Sequence, residues 1–321
     1  MTEKPTLEDG MIKQDFRQFE LVFLVVLSSL QCAIGLTGNF ISLVTIIFTE
    51  RLNQIPSNLL ILNLGVSDLL TCVVFLPLHI HNLFLPSIGE TLRFYYHALC
   101  LFHVFSNGNS ILVITIDRFI AVSCPLRYKA FVTKRRTIQV IFMSWITPLS
   151  FAIAFFTSLQ KDSPESSEFG LRVYIIASLV VVLVLYFMVH MAVRKQRKRI
   201  RNLSITAQDS ANTFQIRVHL WKSTVNTFLL VFFYFLTYLP ILCYDFKFSL
   251  NKQQKYTVVS ERVYAWVLSL QFLNSCIDPF LYVFRCREFK MAFLQLLSRI
   301  LVFKWSIHGT NRKNPVDWYS S

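Results

Sequence analysis

The stretch SILVITIDRFIAVSCPLRYK, residues 110–129, ends a long apolar run with an acid and a base side by side. Asp117 and Arg118 follow residues 94–116, which contain no Asp, Glu, Lys or Arg, and a proline and a basic segment come directly after the pair. An ionisable group inside a membrane helix costs on the order of 2.5–3.5 kcal/mol. The pair therefore marks either the end of a membrane span or a functional site.

The composition of the whole chain is that of a membrane protein. The chain is 54% hydrophobic and 16% charged, whereas soluble domains carry about 25% charged residues. The apolar residues form continuous blocks without alternation, each long enough for a helix to cross roughly 30 Å of hydrocarbon. The sequence thus predicts an all-α membrane protein, a seven-transmembrane-helix bundle. The seven blocks are 20–48, 57–84, 94–123, 137–159, 171–193, 223–248 and 257–283.

The distribution of lysine and arginine predicts the orientation. With the N-terminus outside, ten of the 32 basic residues lie on the outer side and the remaining 22 on the inner side, as the positive-inside rule requires. The net charge of +14 then reflects attraction to anionic inner-leaflet lipid, and nucleic acid is not an expected partner. We predict a multi-pass plasma-membrane protein with an extracellular N-terminus and a cytoplasmic C-terminus. Its parts would be an outer tail (1–19), the helix bundle (20–283), an amphipathic membrane-surface helix (284–297) and a cytoplasmic tail (298–321).

Two acids lie within the apolar blocks. Asp68 is in NLGVSDLL and Asp278 is in NSCIDPFLY. Two carboxylates in a low dielectric cannot both stay charged cheaply, so either one is protonated or a cation lies between them. The more specific hypothesis is that a small cation binds between the two acids through oxygen ligands.

Motifs in a fixed order give the chain a family resemblance. From about residue 20 to 297 it resembles a rhodopsin-like (class A) G-protein-coupled receptor, with features of the adenosine, melanocortin and lysophospholipid receptors. The matching marks are GN at 38–39, NLGVSDLL at 63–70, DRF at 117–119, PLRY at 125–128, Trp145, Tyr186, YLP at 238–240 and NSCIDPFLY at 274–282.

The resemblance implies a function and assigns roles. It implies a receptor, not an enzyme, that converts binding of an extracellular small molecule into activation of a heterotrimeric G-protein, with arrestin as a further cytoplasmic partner. Asp117 would hold Arg118 at rest, and the arginine would swing toward two tyrosines on activation. The implied switch residues are Asp117, Arg118, Tyr186, Tyr238, Pro240, Pro279 and Tyr282. The implied polar network, which holds sodium in many relatives, comprises Asn39, Asp68, Asn107, Asn274, Ser275 and Asp278.

The chain departs from the family pattern at several positions. Arg93 stands where most relatives have the cysteine of the outer disulfide, and none of the seven cysteines lies in an outer loop, so we expect no disulfide. Ser178 replaces the usual proline of the fifth helix, and Tyr234 replaces a phenylalanine of the sixth. Leu220 stands where an acid often locks the arginine, which suggests raised basal signalling.

The ligand site is expected in the outer half of the bundle. Cys100 occupies the position of the amine-binding aspartate of monoamine receptors, and Phe272 that of the retinal-binding lysine of opsins, so neither ligand is expected. We interpret four histidines, at 79, 81, 97 and 103, as membrane-interface residues. The pocket candidates are Cys100, Val104, Tyr238, Leu242, Asp245, Tyr264, Leu268, Gln271 and Phe272.

The main alternative is an ion-coupled transporter or channel that uses Asp68 and Asp278. Such a protein is expected to show repeat symmetry or broken helix pairs, and the sequence has neither. An intramembrane enzyme would need paired catalytic residues. The inner-side histidines, His190 and His219, are isolated.

Overall fold

The architecture is helical throughout the described part of the chain. The computed structural model describes residues 7–84, 90–125, 127–160, 164–203, 225, 227–244, 246–247, 258–285, 289–295 and 298, and these ranges contain no strand. The all-α prediction is therefore confirmed. The long helices are α1 (Leu7–Phe48), α2 (Pro56–Leu70 and Leu76–Phe84, joined by a π-helical turn at Thr71–Phe75), α3 (Glu90–Ser123), α4 (Lys134–Gln160), α5 (Pro164–Leu203), α6 (Thr227–Tyr244) and α7 (Val258–Arg285). Single helical turns lie at Glu50–Asn53 and Tyr128–Phe131, and residues 289–295 are helical as well (α8).

Five of the described helices are long and apolar enough to cross a membrane. They contain the segments Gln18–Phe48, Pro56–Leu83, Lys134–Ala154, Val173–Gln196 and Thr227–Tyr244. The other two long helices, α3 and α7, carry 12 of the 28 polar side chains that are buried within the described residues. Large apolar side chains such as Phe142, Val184 and Phe187 are exposed on the outside of the bundle, as expected for a surface that faces lipid.

α3 lies at the centre of the bundle, where it packs against α2, α4 and α5. α1 packs against α2 and α7 at the edge. A buried cluster that includes Ile111, Val182, Tyr234 and Tyr282 joins α3, α5, α6 and α7. The central position of α3 explains why its polar side chains can meet those of its neighbours.

The π-helical turn in α2 has a local cause. Pro77 lies just after the turn and has no backbone N–H to donate, and a proline ring displaces the carbonyl four residues before it, here that of Val73. A single widened turn absorbs this conflict, and such turns are frequent near functional sites. The turn begins three residues after Asp68.

A close helix contact positions the first polar residue of the site. A Cβ atom at Gly38 would lie 2.8 Å from Cβ and 2.9 Å from Cγ of Pro279, distances that real Cβ atoms do not adopt. Only glycine therefore lets α1 approach the proline turn of α7 this closely. The adjacent Asn39 is fully buried against α7 as a result.

Candidate functional site

The centre of the site is a chain of amide and carboxyl side chains across three helices. Asn107 of α3 donates from Nδ2 to Asp68 Oδ1 of α2 at 3.1 Å. Asn274 of α7 donates from Nδ2 to Asn107 Oδ1, also at 3.1 Å. All three side chains are buried, so each bond replaces one that water cannot supply.

Asn39 brings α1 to the same level of the bundle. Its Nδ2 donates to the carbonyl oxygen of Ser275 at 2.8 Å and to that of Gly35 at 2.9 Å. The second bond lies within α1, and the first bridges to α7. The structure thus brings the six network residues predicted from the sequence to one region, with direct hydrogen bonds linking Asp68, Asn107 and Asn274.

Several oxygens of this region make no hydrogen bond of standard length and angle, although the side chains of Ser275 and Asp278 lie near Asp68. The oxygens are fully buried, and they belong to Asp68 (Oδ2), Asn274 (Oδ1), Ser275 (Oγ) and Asp278 (Oδ1 and Oδ2). The two carboxyl groups are close enough to interact electrostatically. Buried oxygens without such bonds are costly, and they form a donor set suited to a small hard cation. No cluster of three or more His, Cys, Asp and Glu side chains occurs in the described residues.

Two further asparagines bond elsewhere. Asn63 donates to Ser110 Oγ at 2.8 Å and accepts from Trp145 Nε1 at 2.7 Å, which ties α2 to α3 and α4. Asn109 donates to the carbonyl oxygen of Ser144 at 3.0 Å and accepts from Tyr174 Oη at 2.5 Å. These amides hold the bundle together through interhelical bonds.

The ion pair of the opening stretch lies at the end of α3. Arg118 Nη2 lies 2.5 Å from Asp117 Oδ2, and the side chains are only 13% and 5% exposed, respectively. Tyr128, in the turn that follows α3, donates from Oη to the other carboxylate oxygen of Asp117 at 2.7 Å. Sequence reasoning missed this role of Tyr128, although the residue belongs to the quoted PLRY motif. The contact depends on how the turn folds back, and the spacing of residues does not reveal that.

The two tyrosines of the implied switch occupy different environments. Tyr282 is fully buried in the core shared by α3, α5, α6 and α7. Tyr186 is half-buried on α5, with its ring centroid 5.5 Å from that of Phe228 on α6. The prolines lie within continuous helices, Pro240 in α6 and Pro279 in α7.

The pocket candidates lie on α3, α6 and α7. Val104, Tyr238, Leu268, Gln271 and Phe272 are buried, and Leu242 and Tyr264 are half-buried. Tyr264 contacts Tyr244 with ring centroids 5.3 Å apart. The predictions for Cys100, Asp245 and Leu220, and for Arg93, concern side chains that lie outside the described ones. The five cysteines with described side chains are free thiols.

Two of the histidines lie inside the bundle, so the interpretation of all four as interface residues is wrong. His79 and His103 are each 1% exposed, and the ring of Phe272 lies between them, with centroids 5.4 and 5.6 Å away. His79 Nε2 lies 3.1 Å from Ser269 Oγ, and His103 Nδ1 lies 2.7 Å from Thr71 Oγ1 in the π-helical turn. For His103 the sequence carries a signal, because Ser106, Asn107 and Ser110 follow it at spacings of three, four and seven residues and so share its helix face. His79 has no such signal in the preceding turn, where Phe75 and Leu76 are apolar.

The comparisons with known proteins agree with this geometry. A family model described as 7 transmembrane receptor (rhodopsin family) matches residues 38–282. The chain is 25% identical over 307 residues to adenosine receptor A2a of Cavia porcellus, covering 84% of this chain and 71% of that protein. It is 24% identical over 317 residues to the alpha-1A adrenergic receptor of Rattus norvegicus, covering 82% of this chain and 65% of that protein. With adenosine receptor A3 of Bos taurus the identity is 24% over 301 residues, covering 85% and 90%. The chain thus spans just under two thirds of the adrenergic relative and most of the A3 relative. Relatives with two different ligands in their names match about equally well, so the comparisons do not select a ligand.

Proposed function

Because this chain belongs to the rhodopsin family of seven-transmembrane receptors, we propose that it activates a heterotrimeric G-protein at the cytoplasmic face when a small molecule binds from outside. The observation that carries the proposal is the partly buried Asp117–Arg118 pair at the end of α3. A buried ion pair adds little to stability, and Tyr186 and Tyr282, the two tyrosines toward which the arginine would move, lie on α5 and α7. Such an ion pair is suited to a two-state element in which the arginine exchanges partners.

The test is a coupling assay across the G-protein classes with wild type and Arg118→Ala. Substitution should abolish or strongly reduce signalling at equal surface expression. Arg135→Ala is the matched control, because Arg135 is also an arginine of the inner face but is exposed in the first turn of α4. Signalling that survives Arg118→Ala unchanged would contradict the switch, and equal losses in both variants would point to a general loss of surface charge.

The ligand site is proposed among the outer halves of α3, α6 and α7. The buried candidates Val104, Leu268 and Phe272 supply apolar contact, and Tyr238 and Gln271 supply polar groups, a mixture usual for small-molecule sites. We further propose that a sodium ion binds among Asp68, Ser275 and Asp278. The support is chemical, since these side chains carry buried oxygens that make no hydrogen bond of standard length and angle.

The proposed orientation places the Asp117 end of α3 in the cytoplasm. The basic residues exposed on that side support it, since positive charge is retained on the cytoplasmic face. They include Arg127, Lys129, Arg136, Arg194 and Lys198. The same charges would contact anionic lipid.

A further inference from the structure

Pro148, in the middle of α4, leaves one carbonyl group of that helix without its usual partner. A proline has no backbone N–H, so position 148 offers no donor to the carbonyl oxygen of Ser144, four residues earlier. Asn109 of α3 supplies a donor in its place, because its Nδ2 donates to that oxygen at 3.0 Å. The side chain of α3 thus compensates for a hydrogen bond that α4 cannot make itself.

The other end of the same amide is bonded to α5. Tyr174 donates from Oη to Asn109 Oδ1 at 2.5 Å. The Asn109 side chain is only 8% exposed, and hydrogen bonds are stronger in such a low-dielectric environment than in water. Both bonds are directional and the amide that joins them is planar. The carbonyl of α4 and the hydroxyl of α5 are therefore held in a fixed relation to each other.

Three aromatic rings pack around these bonds. The ring centroid of Phe105 lies 4.2 Å from that of Phe151 on α4 and 4.0 Å from that of Tyr174. Phe151 and Tyr174 are 5.5 Å apart by the same measure. Apolar contact is favourable but non-directional, so these rings fill the space between α3, α4 and α5 without specifying one rotation. The bond from the Tyr174 hydroxyl supplies the direction that the rings lack.

The rest of α5 is built to carry this rotation to its inner end. Tyr186 follows Tyr174 by 12 residues, which is about 18 Å along a helix. Residues 171–203 contain no proline and no glycine, and sharp bends in helices arise almost always at such residues or at widened turns. The rotation of α5 at Tyr174 therefore also sets the direction in which Tyr186 points.

We propose that Asn109 is a positioning residue: it joins a carbonyl of α4 to the Tyr174 hydroxyl, and this fixes the rotation of α5 and the place of Tyr186. The connection needs three side chains together, a proline on α4, an amide on α3 and a hydroxyl on α5. Its consequence for signalling rests on the proposed receptor function, whereas the placement of α5 does not.

A double-mutant cycle tests whether Asn109 compensates for the proline. Asn109→Leu has similar volume but no donor, so it leaves the Ser144 carbonyl unbonded and should lower the Tm of the purified receptor by several degrees. Pro148→Ala restores a backbone N–H for that carbonyl, so the same leucine should lower the Tm clearly less in this background. Equal losses in the two backgrounds would overturn the proposal.

The rotation of α5 is measured independently of coupling with two spin labels. One is attached to Cys124 after α3 and the other to a Met191→Cys substitution on α5, both exposed sites. Tyr174→Phe removes only the hydroxyl that reaches Asn109, and it should change the separation of the labels. Asn109→Leu should change the separation equally, and the double variant should add nothing, because each substitution breaks the same connection. Four other cysteines are replaced by serine in every variant: Cys32, Cys100, Cys243 and Cys286.

Coupling is measured as basal nucleotide exchange on purified heterotrimeric G-protein. Because Tyr186 is one of the residues toward which Arg118 would move, Tyr174→Phe should lower basal exchange several-fold. In a Tyr186→Phe background, Tyr174→Phe should have little further effect, which a general loss of stability would not reproduce. Ser150→Ala is the matched control, since it removes an exposed hydroxyl of α4 that is bonded within its own helix, to the carbonyl oxygen of Thr147 at 2.8 Å. It should leave the Tm, the label separation and the exchange rate unchanged.

An unchanged label separation in Tyr174→Phe would overturn the proposal, as would a rise in its basal exchange or an equal loss of exchange in the Tyr186→Phe background. A changed separation with unaltered exchange would overturn the role in the switch, in a receptor whose Arg118→Ala variant loses coupling. If wild type and Arg118→Ala promote exchange equally, the receptor function fails, and the Tm cycle and the label separation still decide whether Asn109 positions α5.

Discussion

At the scale of single residues, Asp117 connects two parts of the chain. One carboxylate oxygen faces Arg118 and the other accepts the Tyr128 hydroxyl. The carboxylate is therefore held from both sides, and the turn after α3 takes part in restraining the arginine.

Tyr128→Phe tests that restraint. A hydrogen bond to a charged group contributes about 1.5–3 kcal/mol, and each 1.4 kcal/mol changes an equilibrium about tenfold. Because phenylalanine keeps the ring and removes only the donor, basal coupling should rise by about tenfold or more at equal surface expression. Lys129→Ala, an exposed neighbour, serves as the control. Basal coupling that stays at the wild-type level would show that Tyr128 does not stabilise the resting pair.

The acids of the network allow a second prediction at this scale. If sodium binds among Asp68, Ser275 and Asp278, replacing potassium by sodium at constant ionic strength should raise the Tm of the purified protein. A ligand at about ten times its Kd stabilises by about 1.4 kcal/mol. Asp68→Asn should abolish the difference between the two salts, whereas Asn109→Ser, outside the network, should preserve it. An identical Tm in both salts would contradict the site.

At the scale of elements, the helices follow the apolar blocks closely, since the length of an apolar run determines whether it spans a bilayer. The helices differ from the apolar blocks at their ends. α1 begins at Leu7, within a polar stretch, and α5 continues to Leu203 through a basic run. Hydropathy indicates which residues contact lipid, but it does not indicate where the backbone hydrogen bonds of a helix end. The apolar blocks therefore could not predict these polar extensions.

The sequence predicts where each helix lies better than it predicts which face of the helix points into the bundle. Lipid is as apolar as the protein core, so an apolar block does not show which of its faces points inward. His79 illustrates the difficulty, since it is buried although Phe75 and Leu76, one turn before it, are apolar. His103 could have been placed, because Ser106, Asn107 and Ser110 follow it on the same helix face. The acids and amides were easier to place, because a polar group in a span must find a partner.

The α1–α7 contact is tested by Gly38→Ala. The new methyl group would press on the ring of Pro279, which is rigid, so the helices must separate. Overpacking of this kind costs about 1–3 kcal/mol, and a fall in Tm of the purified protein by a few degrees is expected. A Tm equal to that of wild type would show that α1 can shift freely against α7.

At the scale of the whole molecule, the Glu20 region of α1 and the Arg262 region of α7 are joined by two contacts. Arg262 pairs with Glu20, and the rings of Phe23 and Trp266 stack with centroids 5.6 Å apart. The ion pair is partly exposed, 39% and 20% for its two side chains, and such pairs contribute only about 0–1 kcal/mol. The bundle is therefore held mainly by its buried interhelical contacts, and the pair at most aligns the two helix ends.

The distribution of charge between the two sides leads to the last prediction. In the opposite orientation most of the lysines and arginines would lie outside the cell, which the positive-inside rule disfavours. One orientation should therefore dominate. An epitope tag at the N-terminus should bind antibody on intact cells, whereas a tag at the C-terminus should bind only after permeabilisation. Flow cytometry of both tagged forms measures this, and the permeabilised sample controls for expression. A C-terminal tag accessible on intact cells would place Arg118 on the outer face, where no G-protein can reach it, and would contradict the proposed function together with the orientation.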